Sequence, residues 1–362
     1  MSSSMSSLLR TTASKPQTTL FSSLYSECFS TQNENQQAVP VILHPSMTGQ
    51  SYTGVAKAPQ FIQRRYQRQE YYTHYMRDHP SPNPNIKPHT ITQTPQVKFV
   101  NSGANNTSNI YDVLKLYHAN LNVHKNAPRV NIGGDHSMSI ATVAYTLNHY
   151  PDAKVIWIDA HPDLNTFESS TSKNIHGMPL AILTGLDTEL GASYPCVRNK
   201  LSFNNLLYIG IRSIDDFERS IINEHQIQYI TSTTVNTNIR ETLRIISDFV
   251  GNSPIHLSFD VDSIDSREMI CCGTPVHSGI KYDSMLPIIK YLSKKNTLVN
   301  ADITELNVID GFNEYFDETK KQQALTHVTQ IFRTILHGMF IHHRNVCKSA
   351  TNPREFFHAV SR

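Results

Sequence analysis

The feature that most constrains this chain is a series of near-continuous apolar runs, most of them closed by glycine, acid or imidazole. RVNIGG (129–134), AKVIWIDA (153–160), NLLYIGI (205–211), IHLSFDV (255–261) and LVNADI (298–303) are of this kind. A strand that is apolar almost throughout must be covered on both faces, which is the condition of a parallel sheet between helices. HSMSIATVAYTLNHY (136–150) has helical spacing, and HVTQIFRTILHGMF (327–340) reads as a late helix. Strands alternating with helical runs place the chain in the α/β class, with a parallel sheet and helices on both sides. Upstream, VPVILHP (39–45) reads as a short buried strand ended by Pro45, and SMTGQSYTGVAKAP (46–59) as a Gly-bearing loop. A polar helix is expected from Gln60 to Met76, then a loop over 79–96 forced by Pro80, Pro82, Pro84, Pro88 and Pro95. VKFVN (97–101) reads as a strand and NIYDVLKLYHANL (109–121) as a helix.

The ends of three runs carry the chemistry: Gly133-Gly134-Asp135-His136-Ser137, Asp159-Ala160-His161-Pro162-Asp163 and Ser258-Phe259-Asp260-Val261-Asp262. In open α/β sheets ligands bind beyond the carboxyl ends of strands. Asp159, His161 and Asp163 alternate, as do Asp260 and Asp262, and period two aims alternate side chains of an extended chain to one side. Four carboxylates gathered in a dry site repel unless cations neutralise them. With the imidazoles of His136 and His161 they fit two divalent ions sharing bridging carboxylates. A carboxylate and imidazole set without thiolate suits Mn²⁺ better than structural Zn²⁺.

These strings, GGDHS, DAHxD and SFDxD in this order, resemble the metal-binding motifs of the ureohydrolase family, and within it the arginase family, over residues from about Val39 to His342. The resemblance implies a three-layer α/β/α fold, of the arginase/deacetylase type, around a parallel eight-stranded sheet. It implies two Mn²⁺ per subunit: His136, Asp159, Asp163 and Asp260 around the first, Asp159, His161, Asp260 and Asp262 around the second, with Asp159 and Asp260 as bridges. It places Asn165, Ser170 and Ser172 at a substrate α-carboxylate, Asp215 and Glu218 near an α-amino group, and Thr274 on the loop beside the metals. Glu305 would pair with a guanidinium, for which a carboxylate offers two parallel hydrogen bonds, and His176 would be a proton shuttle. The implied reaction is hydrolysis of L-arginine to L-ornithine and urea. Divalent ions make water acidic enough to attack near neutral pH, Asp163 would pass a proton to the leaving amine, and His176 would exchange it with solvent. Alternatives are agmatine or another guanidino compound as substrate, and a non-catalytic structural or regulatory relative. The resemblance also implies a homo-oligomer, a trimer or hexamer.

The chain departs from the family pattern after SFDVD, where Ser263-Ile264-Asp265-Ser266 replaces a Gly- and Pro-bearing turn, and at Cys271-Cys272; Ser213 stands where an acid is usual. Loop rigidity and pocket shape are therefore expected to differ there. With 362 residues the chain accommodates one large domain, expected over 39–345, between an N-terminal tail (1–38) and a C-terminal tail (346–362). Fourteen of the first thirty residues are Ser or Thr and the first acid is Glu27. That is the composition of a transit peptide, which implies a mitochondrial location, or of a plain disordered tail on a cytoplasmic protein. Lys plus Arg number 32 against 30 Asp plus Glu, so no net charge argues for nucleic acid or a membrane surface, and no apolar run is long enough to span a bilayer. Of the 18 histidines, His136, His161 and His176 carry a functional argument. The five cysteines form no CxxC pattern and read as buried or incidental thiols in a reducing compartment.

Overall fold

The computed structural model describes residues 38–78, 95–125, 127–295, 297–309 and 317–350. Eight parallel strands form one sheet: β1 (Val39–His44), β2 (Val97–Asn101), β3 (Arg129–Gly133), β4 (Lys154–Ile158), β5 (Leu206–Ile209), β6 (Gln228–Ile230), β7 (Ile255–Asp260) and β8 (Leu298–Thr304), in the order β2-β1-β3-β8-β7-β4-β5-β6. The helices are α1 (Ala58–Asp78), α2 (Asn109–Leu121), α3 (Ser139–His149), α4 (Pro179–Thr184), α5 (Thr188–Gly191), α6 (Asp216–Glu224), α7 (Ser232–Thr237), α8 (Ile239–Val250), α9 (Tyr282–Ser293) and α10 (Glu318–Ala350). The expected three-layer α/β/α fold with an eight-stranded parallel sheet is the one observed.

Alternation along β4 shows how the layers are divided. Ile156 and Ile158 point to a core shared with α1, α8, α9 and α10, whereas Val155 and Trp157 point to a core shared with α2, α3, α4 and α6. All four side chains are fully buried, which is why the run reads as continuously apolar. The sheet's centre breaks this rule on the second face. There Asn131, His256, Ser258, Asn300 and Asp302 are buried and face Ser139, Thr142 and Thr146 of α3 through hydrogen bonds. Asp302 accepts from Asn131, Ser139 and Thr142, with His256 Nε2 at 3.1 Å, so its charge is compensated within the core.

Several boundaries differ from the sequence expectation. β6 was not anticipated: it has three residues at the sheet edge, two of them exposed, and so no apolar run announces it. α1 begins at Ala58, two residues before the expected Gln60, with Pro59 at a first-turn position that tolerates it. The segments after β5 and β7 lead into α6 and α9, neither of which was anticipated. α10 continues to Ala350, beyond the expected domain edge at 345, because no proline interrupts it before Pro353. The expected N-terminal tail through residue 37, the proline-rich loop over 79–94 and the tail from 351 lie outside the described residues. Among the described residues no helix is long and apolar enough to cross a membrane.

Candidate functional site

Four neighbouring strands, β3-β8-β7-β4, occupy the centre of the sheet. Being parallel, they bring the ends of GGDHS, DITE, SFDVD and DAHPD to one edge, the place where such sheets bind ligands. Short local bonds then fix each acid. Asp159 Oδ1 accepts the His161 N–H at 2.7 Å, and Asp260 Oδ1 accepts the Asp262 N–H at 2.8 Å. This is the usual reach of an Asp to a backbone two residues on. It commits one oxygen of each bridge candidate and leaves Oδ2 to point inward. Asp135 uses the same turn, accepting from Ser137, and also accepts the Gly49 N–H at 2.9 Å. A side chain on Gly49 would collide with Asp135 Oδ1 and Ser137 Oγ, so only glycine lets the 46–50 loop back onto the GGDHS turn.

The inward groups converge. His136 Nδ1 lies 3.0 Å from Asp159 Oδ2 and 3.1 Å from both Asp163 Oδ2 and Asp260 Oδ2. His161 Nδ1 lies 3.1 Å from Asp262 Oδ2 and 3.6 Å from Asp159 Oδ1. Two ligand sets, His136-Asp159-Asp260 and Asp159-His161-Asp262, each have their ligand atoms within 4.8 Å of one another. They share Asp159; Asp163 adds its oxygen beside the first. His136 Nδ1, although fully buried among three carboxylates, has no hydrogen-bond partner. An imidazole nitrogen and carboxylate oxygens aimed at one point without bonding each other are the arrangement of ligands around a cation, so this donor set fits divalent metal. The other face of His136 is held: Nε2 is 2.8 Å from Ser258 Oγ, and the ring stacks on Trp157 at 4.2 Å between centroids. Trp157 Nε1 in turn donates to Asp159 Oδ2 at 3.0 Å. Partners of this sort orient a ligating imidazole.

The electrostatics carry the same message. Burial pushes the Asp163 carboxyl up to about 7, with Asp159 adding to it, and Asp260 is pushed well above the usual range by burial, Asp262 and Asp159. Burial works against charge on His136 too, yet Asp159, Asp163 and Asp260 outweigh it and hold the imidazole well above its ordinary value. A bound cation reverses the shifts of the acids.

Two acids of the site sit in the left-handed backbone region, Asp163 at φ 52° and Glu305 at φ 63°. Each such residue costs about 1–3 kcal/mol and persists where the surroundings over-determine it. Glu305 follows β8 and is 2% exposed. Its Oε1 accepts the His136 N–H at 2.8 Å and lies 3.1 Å from His176 Nδ1, while Oε2 accepts from Gln50 Nε2. His176 also donates its N–H to Gly49 O. Burial pushes its imidazole down, but the hydrogen bond and charge of Glu305 outweigh this and lift it to about 9.

The expected substrate contacts divide. Asn165 donates to Asp215 Oδ2 at 2.9 Å, and Ser170 Oγ lies 3.5 Å from Ser172 Oγ at a rim where Ser172 is exposed. Thr274 donates to Asp262 Oδ2 at 2.9 Å and so steadies a candidate ligand. Glu218 has a further role at the start of α6. It is buried, and its two oxygens accept the Leu164 and Asp215 N–H groups at 3.0 Å each, closing a capping box at the start of α6. It positions Asp215 and the DAHPD segment. The turn after SFDVD, without its Gly and Pro, is held by hydrogen bonds. Arg212 donates to the carbonyls of Gly210, Asp262, Ser263, Val276 and His277, and Asp265 accepts from Gly279 and Arg267. Cys196, Cys271 and Cys272 are buried and in no disulfide; burial pushes the Cys272 thiol well up, which makes it inert. Gln50, Trp157, Arg212 and Ser258 also hold the site together, and the first three lie outside the three motifs. The last was legible as a polar residue within an apolar run.

Comparison with known proteins gives the family. The Arginase family model matches residues 37–329. The arginase of Entamoeba histolytica is 32% identical over 286 residues, covering 75% of this chain and 91% of that one. The chain belongs to the arginase family. It is therefore a hydrolase of the type that acts on C–N bonds, and all three arginase-family motifs stand in its sheet as derived above. The crystal structure of arginase from Bacillus subtilis superposes with a TM-score of 0.67 at 28% identity, over 83% of this chain and 98% of that one. The Entamoeba histolytica arginase, solved in complex with L-ornithine, gives 0.64 at 26% identity over 82% and 97%.

Proposed function

We propose that the protein is a dimanganese arginase that hydrolyses L-arginine to L-ornithine and urea. The observation that carries this reading is the convergence of His136, Asp159, His161, Asp163, Asp260 and Asp262 beside Glu305, all but the partly exposed His161 buried. The carboxylate and imidazole donors suit Mn²⁺, held by His136, Asp159, Asp163 and Asp260 on one side and by Asp159, His161, Asp260 and Asp262 on the other. When bound, the ions lower the pKa of water and supply a nucleophile at neutral pH.

The chain's own groups do the rest. Glu305 receives the guanidinium by parallel charge-assisted hydrogen bonds, and its constrained backbone fixes the target carbon, which lowers the entropic cost of attack. Asp163 passes a proton to the leaving amine. His176, in contact with Glu305 and with 17% of its side chain exposed, exchanges protons with solvent. Asn165, Ser170, Ser172 and Asp215 would meet the α-carboxylate and α-amino groups, and agmatine, lacking the carboxylate, does not need the first of these contacts. The ornithine bound by the amoebal relative is the product expected here. A homo-oligomer and, from the Ser/Thr-rich first thirty residues, mitochondrial import belong to the same proposal; size-exclusion chromatography and cell fractionation test them. The function itself is tested by urea release from L-arginine, agmatine and guanidinobutyrate with Mn²⁺. L-arginine is expected to be preferred by at least tenfold in kcat/KM, since a lost charge-assisted contact costs about 1.5–3 kcal/mol. Preference for agmatine would replace the reading with that of an agmatinase.

A further inference from the structure

We infer that Gln50 is a guanidinium-binding residue, its Oε1 accepting a substrate N–H beside Glu305; this rests on the arginase reading. Gln50 lies on the 46–50 loop, which is anchored to the site by two backbone bonds: Gly49 N–H to Asp135 Oδ2 at 2.9 Å and His176 N–H to Gly49 O at 3.2 Å. The Gln50 amide is 9% exposed. Its orientation is fixed by chemistry, because only the NH₂ end can face the Glu305 carboxylate, and Nε2 does donate to Oε2. The carbonyl end must then point away from that oxygen. There Oε1 is a buried acceptor with no partner among the described residues.

An orphaned buried acceptor is costly, so it marks a place where a donor arrives. The surroundings say which donor. Oε1 sits next to Gly273, where an added Cβ would lie only 3.3 Å away, and Gly273 precedes Thr274, which holds Asp262. The acceptor therefore lies between the guanidinium-pairing acid and the loop beside the metal ligands. A guanidinium carries five N–H donors in a plane and no acceptor. A carboxylate takes two of them, leaving others facing the walls of the site. A neutral amide oxygen suits one of these, and the same amide's NH₂ holds Glu305 in place. L-ornithine has no guanidinium, so this contact discriminates substrate from product.

The test uses manganese-loaded Gln50→Leu and Gln50→Met, each close in size to glutamine and without an acceptor oxygen. The readouts are KM and kcat for L-arginine, the inhibition constant of L-ornithine, and Tm. The expected result is a KM for arginine raised about 10-fold or more, with the ornithine constant within twofold and the fold retained. A lower kcat at unchanged KM would mean that Gln50 acts only through Glu305, and an equal loss for ornithine would mean that it shapes the whole pocket; either overturns the inference. If both variants fail to fold, a crystal structure of the wild-type protein soaked with guanidinium chloride decides. A guanidinium nitrogen within hydrogen-bond distance of Oε1 supports the inference, and a guanidinium on Glu305 with Oε1 uncontacted overturns it. Failure of the wild-type protein to release urea from arginine is a separate outcome, which removes the arginase reading itself.

Discussion

Replacing Glu305 by glutamine tests the guanidinium site with almost no change in shape. The carboxylate accepts from His136 N–H and Gln50 Nε2 on opposite oxygens and lies 3.1 Å from His176 Nδ1. Whichever way the new amide turns, its NH₂ meets one of those donors. In a position 2% exposed, a donor left unpaired costs about 1–3 kcal/mol of stability. The effect on the substrate is larger. Two charge-assisted hydrogen bonds of about 1.5–3 kcal/mol each amount to about 3–6 kcal/mol, or about 10²- to 10⁴-fold in kcat/KM. The assay is urea release from L-arginine, with inhibition by L-ornithine and Tm as controls. Ornithine offers a single δ-ammonium and no guanidinium fork, so its constant should change far less than kcat/KM for arginine. A Glu305→Gln enzyme within tenfold of wild type, or one that loses ornithine and arginine equally, would refute the assignment.

Other outcomes follow from the same contacts. Arg212→Met removes a guanidinium bonded to five backbone carbonyls around the SFDVD turn. It should lower stability by about 2–3 kcal/mol, read by urea denaturation, and weaken Mn²⁺ binding about 10-fold or more through Asp262, read by metal titration. Gly49→Ala drives a methyl into Asp135 and Ser137 and should cost about 1–3 kcal/mol, measured as a fall in Tm. His176, lifted to about 9 against an ordinary 6.5, adds stability that is fully present below pH 6.5 and lost as pH rises through about 9. NMR titration of the metal-free protein should show this, and Glu305→Gln should bring the value down.

The legible part of the fold was whatever had no freedom. β4 is buried on both faces, so Val155, Ile156, Trp157 and Ile158 had to be apolar, and the run announced the strand. β6 is an exposed edge of three residues with no such demand and left no trace. The metal-candidate acids were legible for a related reason: an Asp that must cap its own turn and point inward leaves a fixed spacing, as Asp159-His161 and Asp260-Asp262 do. Spacing does not say what a side chain bonds once a helix begins, and so the capping box that Glu218 closes at the start of α6 was not legible. Gln50 was invisible because its role depends on a contact 255 residues away. The polar residues of the central strands, from Asn131 to Asp302, were in plain view. Their meaning depends on α3 packing across them.

The central claim is that these strand ends form a two-metal site for arginine hydrolysis. Its most direct test is urea release from L-arginine by metal-stripped protein titrated with Mn²⁺. The account predicts no urea without metal and activity that reaches its plateau at about two equivalents per subunit, the number the shared Asp159 sets allow. Undiminished urea release from the stripped protein, or none at any Mn²⁺ level, would contradict it.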